Sequence, residues 1–228
     1  MTDRIALRLL PLLLAAAGTA SAATPAMKPY SADYDASYMG MHGTGHMSLS
    51  QQGGRWVYSL RIGSALAQLS QSTTFDVSGD ALRPLSGTDS STFLVKRVTK
   101  QASYDWNARQ ASWSGDVKPD RSGPIALQAG DVDAMLLNLA LPRDVAAGRS
   151  LHYRMVDDGR TKNVDCAASG KETLDAGGKS LHATKVNCDL GGNKQILLWV
   201  VDGMPFPARI LQRKDGKDDI DLRLGKSA

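Results

Sequence analysis

Glutamate is almost missing from this chain: of its 23 acidic residues, Glu172 alone is glutamate and the other 22 are aspartate. Glutamate forms helices and aspartate favours turns and caps, so the scarcity excludes a multi-helix bundle and speaks for a turn-rich, strand-built fold. Runs of Lys and Arg are missing as well. The formal charge of +4 and pI near 9.1 therefore bear on solubility and exclude a nucleic-acid footprint. Catalytic wording is absent: there is no Gly-x-Ser-x-Gly, no Ser-x-x-Lys and no His-Glu-x-x-His. Gly177-Gly178-Lys179-Ser180 imitates a phosphate loop, but Thr173 stands where that loop needs glycine. Asp215 to Asp221 is acid-rich without the spacing of a calcium loop, and is a solvated turn. A non-enzymatic protein with no cofactor is the expectation. The 42% hydrophobic and 22% charged shares are those of an ordinary globular chain, not a disordered one.

What is present begins with a leader. Arg4 and Arg8 precede the apolar run Leu9 to Ala17 and the small residues Gly18-Thr19-Ala20-Ser21-Ala22. That is the pattern of a secretory signal cleaved after Ala22, and the run is too short for the roughly 20 residues of a retained spanning helix. No cysteine follows the cleavage site to take a lipid, and no later segment is apolar enough to span a bilayer. Residues 1–22 are thus expected to be a signal peptide and 23–228 one β-rich domain, exported to the periplasm.

Cys166 and Cys188 are the only thiols, and export puts them where disulfides persist. The turn signal Asp175-Ala176-Gly177-Gly178 lies midway between them. A hairpin of strands 162–174 and 180–190 about it sets Cys166 opposite Cys188 and Ala168 opposite Val186 on one face. A structural bridge is expected; a redox pair needs the two thiols closer in sequence.

Arg55 to Ile62 alternates, with Trp56, Tyr58, Leu60 and Ile62 on one face, and Gln52-Gly53-Gly54 joins it to the alternating run Thr44 to Gln51. Thr73 to Val77, Ser90 to Trp106, Ala111 to Ser114 and Ile220 to Leu224 are further strands, about ten in all in an antiparallel sheet or barrel. Two segments depart from alternation. Ile196 to Val201 is apolar at both parities and should be covered on both faces. Asp131 to Leu141 is a helix, capped by Asp131, with Asp133 in its first turn and Pro142 stopping it. Its stripe Val132, Met135, Leu136 and Leu139 should lie across the curved sheet and supply the layer that covers the two-faced strand.

Several stretches together carry a resemblance. They are Tyr34-Asp35-Ala36-Ser37-Tyr38 with Gly40, Phe75 to Pro84, Tyr104-Asp105-Trp106-Asn107, and the helix 131–141. Lys171-Glu172-Thr173-Leu174 with Leu181 to Val186, and Leu198-Trp199-Val200 with Pro205 to Ile210, complete the set. In this order, from Tyr30 to Leu224, they resemble the bacterial exported family of domains of unknown function numbered 3108. Two features depart from its pattern: the turn Asp175 to Lys179 lacks the family's Thr-x-Leu-Gly wording, and the disulfide is not general to it. The resemblance implies a mainly β fold, a strongly curved antiparallel half-barrel with one short apolar helix on its concave face, similar to periplasmic lipoprotein carriers.

Two site expectations follow. Trp56, Tyr58, Leu60 and Trp199, with Met135, Leu136 and Leu139 above them, either line a cavity for a lipid or acylated protein or pack as plain core. In the second case the protein is an envelope interaction or scaffolding module. The segment 39–47, with Met41, His42 and His46, holds soft and imidazole donors suited to Cu(I). Against that, His46 and Met47 are successive strand residues and face opposite ways. His152 and His182 stand isolated in strands as polar-face residues.

Overall fold

The structure, a computed structural model, describes residues 27–38 and 40–226. The expected signal peptide lies outside the described residues. The strands are β1 (Tyr30–Tyr38), β2 (Met41–Gln52), β3 (Arg55–Gly63), β4 (Ala67–Ser78), β5 (Ala81–Phe93), β6 (Lys96–Asp105) and β7 (Gln110–Gly115). A 3-10 turn (Pro119–Arg121), β8 (Ile125–Ala126) and helix α1 (Ala134–Ala146) follow. Then come β9 (His152–Asp157), β10 (Arg160–Ala176), β11 (Lys179–Asp189), β12 (Lys194–Val200), β13 (Arg209–Lys214) and β14 (Lys217–Leu224).

Alternation dictates the strands. Tyr34 and Ala36 are buried between exposed Asp33 and Asp35, and Tyr58 and Leu60 point inward on β3. All fourteen strands form one antiparallel sheet in the order β8 to β1, then β14 down to β9, so the first and last strands pair at its middle. Its two edges, β8 and β9, approach each other and nearly close a barrel. Val132 sits in the seam: its N–H donates to Arg154 O at 3.2 Å, and it accepts from Val156 N at 2.8 Å. Tyr104 Oη donates to Val156 O at 3.2 Å and Arg154 Nη2 to Ala126 O at 3.1 Å, so side chains complete what the ladder leaves open.

The helix starts and stops later than expected. Asp133, not Asp131, is the N-cap, accepting from Leu136 N at 2.7 Å through Oδ1. Asp131 instead bonds Arg154 Nη1 at 2.5 Å and Gln128 N at 2.7 Å, which serves the seam. Pro142 lies inside the helix. It removes one backbone donor, but the next turn is anchored from outside. Buried Asp144 accepts from Tyr153 Oη at 3.1 Å and from Arg143 Nε at 2.8 Å, and Arg149 N closes on Asp144 O at 2.8 Å. The apolar helix rests on the concave face, where Met135, Leu136 and Leu139 join the main core.

The two-faced strand β12 is covered on both sides, on one by the main core that the helix shares and on the other by a cover the sequence did not announce. Ile196, Leu198 and Val200 enter the main core under the helix; Leu197 and Trp199 enter a second, outer cluster with Leu174, Ala176, Ala183, Ala208 and Leu211. A bulge between Ala168 and Gly170 explains the cover. Even-numbered residues of β10 face inward up to Cys166 and outward at Leu174 and Ala176, so the far half of the β10–β11 hairpin turns its apolar side onto the outside of β12.

The disulfide joins Cys166 and Cys188, which are directly paired across β10 and β11. Because it closes a loop with a sequence separation of 22, its reduction should cost about 3 kcal/mol on the loop-entropy scale. Urea unfolding with and without dithiothreitol measures this, the reduced chain unfolding at lower urea with a similar slope.

Candidate functional site

Six of the seven residues expected around the concave face do meet there. Tyr58, Leu60, Met135, Leu136 and Leu139 share one core, with Trp56 packed against it. Tyr58 and Leu136 have no exposed surface, and Tyr34, Phe75, Leu141 and Leu198 have at most 1%. Tyr58 stacks on Phe206 with centroids 5.0 Å apart, and its hydroxyl donates to Met47 Sδ at 3.3 Å. These side chains fill the space beneath the helix themselves.

Trp199 is the correction. As an odd-numbered residue of β12 it points outward, where its Nε1 donates to Glu172 Oε2 at 2.9 Å. The Arg209 guanidinium lies 4.5 Å and the Lys185 ammonium 5.2 Å from its ring centroid. Lys185 also bonds Glu172, holding that carboxyl below its usual range together with the Trp199 N–H. The lone glutamate thus pins the hairpin flap to β12.

Packing gives way at one end of the concave face, where the helix N-terminus meets β4, β5, β6 and the end of β9. A cleft of about 280 Å³ opens there. Ligand sites commonly run to roughly 300–1,000 Å³, so this one suits a small polar group, not a chain of methylenes. Asp89 from β5, Asp157 at the end of β9 and Asp158 in the turn after it face a single cation, Lys100 of β6. Lys100 Nζ donates to Asp158 Oδ1 at 2.8 Å, and this bond raises its pKa.

The floor of the cleft is a buried pair. Thr73 Oγ1 donates to Asp133 Oδ2 at 2.5 Å, with both residues 3% exposed or less. Burial raises the Asp133 pKa, while Thr73 and the backbone N–H groups of the first helical turn oppose that rise. The pair ties the helix N-terminus to β4. A hydroxyl so enclosed and committed to its carboxylate cannot reach a substrate, so Thr73 is not an exposed nucleophile.

Asp157 is pushed up to about 7, first by burial, then by the charges of Asp133, Asp158 and Asp89. It therefore exchanges its proton near neutral pH, and the cleft can change its charge there. Tyr104, also raised by burial and by Asp133 and Asp157, stays a neutral donor. Chemically the arrangement can accept hydrogen bonds from, and balance the charge of, an ammonium or guanidinium group. The sequence places Asp133 in the first turn of a helix, but nothing local brings Asp89, Lys100, Asp157 and Asp158 to it.

The segment 39–47 gives no comparable gathering. Met39 lies outside the described residues. His42 and His46 are both exposed on β2, four residues and therefore roughly 13 Å apart. Met41 precedes His42 and so faces the other way, while Met47 is buried against Tyr58. His46 Nδ1 lies 2.6 Å from Asp33 Oδ1, and His152 Nδ1 lies 2.7 Å from Asp165 Oδ1, both at the surface. Among the described residues no three His, Cys, Asp or Glu side chains are grouped to hold a metal, and no helix is long and apolar enough to cross a membrane.

Neither a curated protein nor a solved structure matches the chain. A family profile does, over residues 30–223, from the first residue of β1 into β14. The seam, the helix and the cleft all fall inside that span, and the chain belongs to the family of proteins of unknown function DUF3108.

Proposed function

We propose that the protein is an exported, non-enzymatic interaction module of the cell envelope, which offers surfaces to a partner and does not enclose an acyl chain. The observation that carries this is the filled interior: the side chains beneath α1 are packed to 0–8% exposure, leaving no room for a lipid tail unless the helix departs. Export to the periplasm rests on the leader-like start and on a disulfide, a bond that oxidising compartments preserve. The seam cleft is the contact point with the clearest chemistry. Its carboxylates suit a polar partner segment bearing a lysine or arginine side chain.

Native mass spectrometry of gently purified protein, paired with crosslinking in intact cells, tests the proposal. The expected outcome is the mass of the oxidised chain without lipid, and a stoichiometric protein partner whose crosslinking falls at least fivefold in the double variant Asp89→Asn/Asp157→Asn. Stoichiometric lipid in the spectrum, or a partner indifferent to both substitutions, overturns it.

A further inference from the structure

The run Ser90 to Trp106 alternates like one strand, yet the chain reverses in its middle. β5 ends at Phe93, β6 begins at Lys96, and Leu94-Val95 is the whole turn, with Phe93 paired to Lys96. Two-residue hairpin turns favour glycine, asparagine or aspartate because they need positive φ. Here Leu94 takes φ +54° and Val95 is 99% exposed. The positive φ of the turn thus falls on a branched aliphatic residue that this geometry disfavours, and beside it a valine stands almost fully exposed. A conflict between local propensity and fold marks a place selected for something besides folding.

The neighbouring turn adds to it. Leu66, between β3 and β4, is 50% exposed, and its carbonyl accepts from Leu94 N at 2.9 Å. Ser64 Oγ accepts from Ala67 N at 3.1 Å and stiffens that turn. Phe93 is 52% and Leu94 61% exposed. Four large apolar side chains therefore project from two hairpin tips stitched by a backbone hydrogen bond, and they are the greater part of the large exposed hydrophobics among the described residues.

Charge identifies the occupant. Lys96 and Arg97 follow the apolar tip directly and are exposed, and neither makes an ion pair among the described residues. From Ser90 to Tyr104 there is no acid, and from Ile62 to Phe75 there is no charged residue at all. A protruding apolar tip with unpaired cations just behind it matches the layering of an anionic bilayer: acyl boundary outside the tip, phosphates at the level of the cations.

We propose that the paired tips, Leu66 with Phe93-Leu94-Val95 and the cations Lys96 and Arg97, dock the protein onto an anionic phospholipid surface. The apolar side chains enter the interface and the barrel stays outside it.

The test uses the mature chain and flotation with vesicles of phosphatidylglycerol and phosphatidylethanolamine, against vesicles of phosphatidylcholine alone. Binding to the anionic vesicles should exceed that to the neutral ones at least tenfold and weaken with salt. The variant Leu94→Gly/Val95→Asn supplies the turn its preferred residues, so it should fold at least as stably by thermal unfolding and lose tenfold or more of the binding. Lys96→Gln/Arg97→Gln should lose several-fold and most of the salt dependence. No flotation by the unaltered chain, or undiminished flotation by the Gly-Asn variant, overturns the proposal. A photocrosslinker at position 95 that captures a protein and no lipid in cells overturns it in favour of a protein partner.

Discussion

Replacing Gly159 with alanine should lower the stability of the fold by roughly 2–5 kcal/mol. Gly159 follows Asp158 in the hairpin between β9 and β10, and the two have φ of +65° and +47°. Alanine in that region costs about 1–2 kcal/mol by itself. The larger part comes from the seam. A Cβ at position 159 would lie 2.6 Å from Arg121 Cα and closer still to the Arg121 carbonyl oxygen, all of it backbone. Either the turn or the 3-10 segment must retreat, and a shift of that kind in packed structure adds about 1–3 kcal/mol. It would also break the bond from Arg121 Nη1 to Asp158 O, now 3.1 Å. Gly148→Ala is the control: its φ is +61° with nothing within 4 Å of the added carbon, so it should show the conformational cost alone. Urea unfolding of both variants separates the two contributions. A Gly159→Ala protein no less stable than Gly148→Ala would mean the seam is not closed there.

Asp157→Asn should stabilise the protein at pH 8 and leave it nearly unchanged at pH 4. The folded-state pKa of Asp157 lies near 7, above its ordinary value of 3.8. Its protonated form is thus the one the fold prefers. The stability this group contributes is complete below about pH 3.8 and is lost as pH rises through 7. At about 1.4 kcal/mol per pH unit the full loss is about 4 kcal/mol, and water in the cleft reduces it to about 2. Asparagine keeps the shape and removes the ionisation, so the difference between variant and parent should grow between pH 4 and pH 8. Comparison between variants matters because Asp76 and Asp221, both held low in the fold and both partnered by arginine, act in the opposite direction as pH falls. Chemical denaturation at four or five pH values reads the difference directly. A constant offset would show that Asp157 does not ionise in this range.

Much of the fold was legible because alternation is a local property. Trp56 to Ile62, the Cys166–Cys188 register and the two-sided character of Ile196 to Val201 depend on neighbours a few residues away, and each is in place. The strand number fell short because turns without the usual residues conceal themselves; Leu94-Val95 inside an apparently continuous strand is the instance. Pro142 signalled a stop that the anchorage of Asp144 by Tyr153, Arg143 and Arg149 overrides. Trp199 went to the wrong side because parity tells that two neighbours differ, not which of them is inside, and an unannounced bulge at Ala168 built the outer cover. The cleft was the least legible part. Asp89, Asp133 and Asp157 come from three elements far apart in sequence, and they meet only because two sheet edges converge.

The pairing of β1 with β14 has a bearing on how the chain reaches this state. Tyr34 finds Leu224 as its neighbour across the ladder, so β1 must wait, half unpaired, until β14 has emerged. Contacts of such separation are late and slow to form. A chain released end first through a narrow passage would keep the free side of β1 open until β14 had followed it, and only then lock shut.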